Sequence, residues 1–169
     1  MSNWIITYSG KKIYFNDGMM EQNQYDIVDI AHSLSQQCRF TGHTRKFYSV
    51  AEHSVRISDL CSPENALWGL LHDAAEAYIG DLNKPFKLML PSFSVMEEKL
   101  MEGIKKQFGL IGKIPKEVKW WDLEMGRVEL RDLMDFEEEK LETDIFMIGT
   151  WESKRAYQEF IMRFIELTK

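Results

Sequence analysis

The chain has 169 residues, of which 44% are hydrophobic and 28% charged, with five Trp, six Tyr and ten Phe, enough apolar bulk for the core of one globular domain. A net charge of −6 leaves no broad basic footprint, so neither a nucleic-acid polymer nor an anionic membrane surface is an expected partner; a single nucleotide, which needs only a few local cations or a metal, is not excluded. Cys38 and Cys61 are too few for a disulfide scaffold and too far apart for a metal-type pair. MSNWIITYSGKK has no signal-like apolar core, and no run approaches the about 20 apolar residues of a membrane span, so the cytoplasm is the expected location.

In chain order, residues 4–8 (WIITY) and 12–15 (KIYF) are β-rich and flank a Ser9-Gly10 turn, which predicts a short hairpin. From Asp26 the pattern becomes helical: Ile27, Ile30, Ala31, Leu34 and Cys38 share one face, where His32 reads as a packing residue. RFTGHTRKFY is a loop with Gly42 at its centre. Ser49 and Glu52 match the capping box S-x-x-E, so a helix starts near Val50 and runs to about Leu60. Ser62-Pro63 predicts the cap and first residue of a helix over about 63–79, ended by Gly80. Further helices are expected over about 92–108, closed by Gly109, from Pro115 to about Asp135, and from Trp151 to Leu167. The acidic run Phe136-Glu137-Glu138-Glu139 reads as a solvated face or turn. The whole predicts a mainly α single-domain bundle with residues 1–20 as a hairpin appendage and 136–169 as a C-terminal helical extension.

The helix over 63–79 carries the chemistry. Ala66, Leu67, Leu70, Leu71, Ala74, Ala75 and Tyr78 cover much of its surface, which predicts a central position. An imidazole and carboxylates on a central helix must be satisfied, because a buried unpaired charge costs several kcal/mol. His72 and Glu76 are four residues apart and Asp73 and Glu76 three, so they converge at one edge. Imidazole nitrogen and carboxylate oxygen are ligands for first-row metals, and a divalent cation would settle the charge. Further ligands must come from other helices: His53 in YSVAEHSV and Asp122 in VKWWDLEMGR are candidates. His…His-Asp…Asp on three successive helical patterns is far more specific than an isolated HD dipeptide.

FYSVAEHS, LWGLLHDAAEAYIGDLNKPFK and VKWWDLEMGRVELRDLM, taken together, resemble the HD-domain metal-dependent phosphohydrolases, in particular the bacterial and phage branch with 5′-deoxynucleotidases and phage dATP triphosphohydrolases. The likeness runs from about Thr7 to Met134. It implies an HD-domain helical bundle in which His53, His72, Asp73 and Asp122 hold one divalent cation (Zn, Co, Mn or Fe), with additional Mg if the substrate is a polyphosphate. Asp132 is the alternative last ligand, although it can instead pair with Arg127 or Arg131.

The same resemblance implies catalytic roles for Glu76, in proton traffic, and for Asp81, near the sugar or the attacking water. It implies that Arg39 binds phosphate, a task suited to its planar fork, and that Phe40 lies against sugar or base. Lys84, Lys87 and His43 are further candidates for phosphate contact, each with a plain alternative as solvated or loop-holding residues. The implied reaction is hydrolysis of a small-molecule nucleotide, foremost of deoxynucleoside monophosphates to deoxynucleoside and phosphate. Alternatives are a dATP-type triphosphohydrolase, a cyclic-nucleotide phosphodiesterase and a catalytically silent nucleotide-binding HD domain. A homo-oligomer, dimer or hexamer, is expected, with Trp68 and Trp151 as possible contact positions and Trp120 and Trp121 as core or subunit contacts.

Overall fold

The computed structural model describes residues 3–134, 136 and 148–169. It is mainly helical and carries the small antiparallel hairpin expected at its N-terminal end. Strands β1 (Trp4–Ile6) and β2 (Lys12–Tyr14) pair with Ile5 opposite Ile13. Both are shorter than the sequence pattern suggested, because the chain already turns back between Thr7 and Lys11, with Gly10 at φ 83°. Alternation sends Ile13 into the core. Ser9 fastens the turn to the first helix: its N–H and hydroxyl donate to the Asp29 carboxylate at 2.7 and 2.8 Å.

Helix α1 (Ile27–Gln36) opens on Asp26, whose side chain accepts the Val28 N–H at 2.9 Å. Ile30, Ala31 and Leu34 form its buried face. Cys38, expected on that face, lies beyond the helix end in a bridge to Ser49. Hydrogen bonds from the Arg39 N–H to Tyr48 O and from the Val50 N–H to Gln37 O close the base of the loop between them. Helix α2 (Val50–Leu60) then starts where the capping box places it, the Ser49 hydroxyl accepting the Glu52 N–H at 3.1 Å. The reciprocal half of the box does not form. Glu52 is fully buried and instead takes the Arg56 guanidinium at 2.6 Å and the Trp151 N–H at 2.8 Å, because a carboxylate without solvent requires strong donors.

The single helix expected over 63–79 is two: α3 (Ala66–Leu71) and α4 (Glu76–Ile79). Ser62 does not cap it, because Glu117 draws its N–H at 3.0 Å and its hydroxyl at 2.6 Å. Between α3 and α4 the N–H groups of Ala74 and Glu76 reach back three residues, to Leu71 O and Asp73 O, a local tightening of the kind that recurs at functional positions. After Gly80 come α5 (Lys84–Leu88), α6 (Pro91–Phe108), α7 (Lys116–Met134) and α8 (Ser153–Leu167). Gly109 closes α6 at φ 72°, as its position predicts.

Helix α2 lies against α1, α3, α7 and α8, and α8 also against α1 and α3, so the interior is built around α2. Polar groups on α2 are paired accordingly: Ser54 donates to Val50 O and Ser58 to Ala66 O. Trp68 is buried, with its indole N–H on Ile111 O at 3.1 Å, and so is a core residue rather than an exposed contact position. Trp151 is half-buried between the guanidinium groups of Arg56 and Arg155, each 5.0 Å from its ring. His32 packs as expected, stacked on Tyr8 at 3.8 Å. No helix among the described residues is long and apolar enough to cross a membrane. The run Glu137-Glu138-Glu139 lies outside the described residues.

Candidate metal centre

Three elements meet at one point. His53 comes from the middle of α2, His72 and Asp73 from the tightened stretch after α3, and Asp122 from α7. Ligand atoms of His53, His72 and Asp122 all lie within 4.8 Å of one another. Asp122 Oδ1 is 3.2 Å from His53 Nε2 and 3.9 Å from His72 Nε2. Asp73 Oδ2 is 3.2 Å from His72 Nε2 and 3.8 Å from His53 Nε2. The separations among His53, His72 and Asp122 suit donors around one ion at about 2.1 Å, whereas Asp73, near both imidazoles, stands outside that mutually close set.

The orientation of each imidazole is set from behind. The Nδ1 of His72 donates to Gly69 O at 2.7 Å, and that of His53 meets Glu129 Oε1 at 2.5 Å. Each ring therefore turns Nε2 toward the common point. Both Nε2 atoms are buried and neither makes a hydrogen bond, which is costly unless something else satisfies them. An imidazole anchored through one nitrogen and presenting the other is how histidine ligands are held. The donor set thus fits a divalent cation.

The charges agree with that fit. Asp73, Asp122 and Glu129 carry three negative charges within contact of the imidazoles, and Arg39 returns one positive charge. With neutral imidazoles the remainder is −2, the charge a divalent cation cancels. In the chain alone the surplus negative charge favours protonated imidazoles. Burial and Arg39 act against charge on His53, but Glu129 and Asp122 prevail and push its pKa up to about 9. His72 is raised too, its burial outweighed by Asp73. Burial would raise Asp73, but His72, His53 and Arg39 hold it well below the usual carboxylate range. The Asp122 side chain is 47% exposed, so the cluster opens to solvent on the α7 side.

Glu76, the first residue of α4, is buried with Oε2 unpaired. Burial, reinforced by Asp73 and then Asp81, pushes its pKa well above the usual carboxylate value. The reach-back of Glu76 N–H to Asp73 O gives these residues the three-residue spacing that brings side chains onto one side. Lys87 Nζ stands 3.9 Å from Glu76 Oε1 and is held by Glu97 at 2.5 Å. Asp81 follows Gly80, which turns the chain at φ 84°; Gln37 Oε1 accepts its N–H at 3.0 Å. Burial raises the Asp81 pKa, with Arg39 opposing. Gln37 also donates to Glu76 O at 3.1 Å, so one amide ties the end of α1 to both acids.

Arg39 is not a free loop cation. Its Nε donates to Glu129 Oε2 at 3.0 Å, and one terminal nitrogen lies 3.7 Å from Asp73 Oδ2. Phe40 and Thr41 follow with φ 52° and 54°, ahead of Gly42 at φ 80°. Left-handed backbone at an aromatic and a β-branched residue stores about 1–3 kcal/mol each, and the Asn83 amide holds Thr41 Oγ1 from the other side at 2.7 Å. The Phe40 ring lies 5.5 Å from the Arg39 guanidinium. His43 and Lys84 are exposed, so the structure does not bring them into the buried cluster. Asp132 is engaged by Arg131 at 2.6 Å and by the Ile148 N–H at 2.9 Å.

Sequence reasoning missed Glu129 and Gln37. Glu129 lies seven residues beyond Asp122, two turns along α7 and on the same face. That periodicity, together with a carboxylate in an otherwise apolar VEL stretch, was the available signal.

No model of a known protein family matches the chain. It is 45% identical over 133 residues to the Uncharacterized protein YfdR of Escherichia coli strain K12, a match covering 78% of this chain and 72% of that protein. It is 32% identical over 127 residues to an uncharacterized protein of Rhodobacter capsulatus, covering 67% of this chain and 65% of that one. With that identity to YfdR over most of both chains, this protein belongs to the YfdR family.

Proposed function

We propose that the chain is an HD-domain metal-dependent phosphohydrolase, acting as a 5′-deoxynucleotidase that converts deoxynucleoside monophosphates to deoxynucleoside and phosphate. The observation that carries the reading is the pair of buried, unbonded Nε2 atoms of His53 and His72 aimed at one point beside Asp122 and Asp73. These residues would hold a divalent cation, with Zn, Co, Mn and Fe all compatible with the donors. When bound, such a cation supplies Lewis acidity toward a phosphoryl oxygen and makes water acidic near neutral pH.

The remaining work falls to the chain. Arg39 neutralises phosphate charge through guanidinium nitrogens that Glu129 does not occupy. Burial and the Asp73 carboxylate raise the Glu76 pKa, which favours its acid form and suits it to donate to the leaving 5′-oxygen as the P–O bond breaks. Asp81, with its raised pKa, is suited to take the proton lost by the attacking water. Phe40, beside Arg39, is a surface for sugar or base.

A dATP-type triphosphohydrolase is the second reading, favoured by Lys84 and Lys87 three residues apart on α5, where a longer phosphate tail would find compensating positive charge, with additional Mg neutralising the rest of the polyphosphate. Exposed Phe86 and Leu88 on α5, with Met89 just beyond it, support a homo-oligomer as the working form. Incubation of the metal-loaded protein with dAMP, dATP, AMP and cyclic nucleotides, with phosphorus NMR of the products, tests the proposal. Orthophosphate from dAMP is expected; tripolyphosphate from dATP selects the second reading. Turnover of none of them overturns both.

A further inference from the structure

Glu129 is fully buried and its two oxygens serve two different masters. Oε1 meets His53 Nδ1 at 2.5 Å and Oε2 accepts from Arg39 Nε at 3.0 Å. His53 belongs to the candidate cation site, whereas Arg39 is the guanidinium beside it, 3.7 Å from Asp73. We infer that Glu129 is a positioning residue that couples the cation site to the anion-binding guanidinium, so that filling either one tightens the other. The inference rests on the metal-site reading above and names the side chain through which cation and phosphate communicate.

The argument is one of hydrogen-bond polarity. A carboxylate has only acceptors, and here both neighbours are donors. In the neutral imidazole that ligation requires, accepting from Nδ1 of His53 places the one ring proton there, which leaves the Nε2 lone pair directed at the cation. Accepting from Nε of Arg39 holds the guanidinium with one terminal nitrogen 3.7 Å from Asp73 Oδ2. A glutamine in the same place has one acceptor and one donor. Either its amide NH2 faces Arg39 and displaces it, or it faces Nδ1 and drives the His53 proton onto Nε2, which can then no longer ligate. Without Glu129, two buried groups cannot both keep the orientation that the site needs. Reciprocity of binding free energies then requires that phosphate strengthen cation binding as much as the cation strengthens phosphate binding.

Titration of the metal-free protein with Co2+, followed by visible absorption with and without inorganic phosphate, tests this. Wild type is expected to bind Co2+, and phosphate to tighten that binding at least about fivefold. Glu129→Gln is expected to bind Co2+ about 10–100-fold more weakly, with an altered spectrum, and to lose the phosphate effect. Glu129→Asp keeps the charge but falls a methylene short of spanning both partners; it should show the same losses and decides the matter if the glutamine variant does not fold. In the Arg39→Ala, Glu129→Gln double variant the amide no longer faces a second donor, so Co2+ affinity should recover while the phosphate effect stays lost. Wild-type Co2+ affinity and an intact phosphate effect in both Glu129 variants would overturn the inference, as would a wild type in which phosphate leaves Co2+ affinity unchanged. Hydrolysis is not the readout: a wild type that shows the coupling but cleaves no nucleotide ends the hydrolase reading and leaves this one standing.

Discussion

At the scale of single residues, the proposed function gives separate roles to groups that would hold a cation and groups that would move protons. His72 and Asp122 present atoms that could ligate a metal, and Glu76 presents a carboxyl whose pKa is raised by burial and then by Asp73. His72→Ala or Asp122→Ala is therefore expected to lose bound metal, measured by elemental analysis, together with turnover. Glu76→Gln is isosteric and needs no charge, so it should retain metal and the fold while turnover drops about 10²–10⁴-fold; unchanged turnover would remove Glu76 from proton transfer. The candidate ligands were legible in the sequence because His72 and Asp73 interrupt an apolar helical pattern and must be satisfied there, and because the resemblance adds His53 and Asp122 from neighbouring helical patterns. Gln37 was not, because its role comes from a contact 39 positions away in the chain; the two-turn spacing of Glu129 from Asp122 puts it on the same face of α7 but does not reveal its contact with His53, 76 positions away. His43 and Lys84 failed to join the cluster for a related reason: sequence proximity to the site places a residue on the right loop but does not turn its side chain inward.

At the scale of elements, capping and close packing position the site. Helix ends with a local chemical signature were legible: Asp26, Ser49 and Gly109 each stand where their helices begin or end. The break after Leu71 was not, since residues 72–75 have no helix-breaking side chains, and Ser62 failed as a cap because Glu117, far along the chain, competes for it. Gly69 is where α3 meets α2: a Cβ there would stand 3.0 Å from Ser58 Cα and 3.1 Å from Cys61 Sγ. The Ser58 contact is backbone and cannot swing aside, so Gly69→Ala should destabilise the fold by about 1–3 kcal/mol. It should also weaken metal binding, since the Gly69 carbonyl orients His72. Denaturant unfolding and a Co2+ titration read the two effects. Loss of the α1 cap in Asp26→Ala should cost about 1 kcal/mol. The Lys11 hydrogen bond, then the Val28 N–H, lower the Asp26 pKa, so its contribution is present above the unfolded value of about 3.9 and is lost as pH falls through the lower folded one. Wild type and variant should therefore differ at pH 7 and converge in strong acid.

At the scale of the whole molecule, the candidate centre joins α2, the α3–α4 junction and α7, so a cation bound there would cross-link the middle of the bundle. Ligation requires unprotonated imidazoles, and in the metal-free chain His53 holds its proton up to about pH 9. A folded-state pKa above the unfolded value of about 6.5 means that protonated His53 stabilises the metal-free fold fully below that pH and that this support is lost as pH rises toward 9. The cation replaces the proton, so its binding strengthens over the same interval, by about tenfold per pH unit for each proton displaced. Both effects act in one direction: the stabilisation given by metal should grow between pH 6.5 and 8.5. With Co2+ at about a hundred times its dissociation constant the gain is about 2.7 kcal/mol, which for a chain of this length raises Tm by about 5–11 °C. Melting curves with Co2+ and with EDTA at the two pH values measure it. A shift that is absent, or larger at pH 6.5 than at 8.5, would mean that no cation displaces the proton from these imidazoles, and the three helices would have to be held together by packing and by the Glu129 bridge alone.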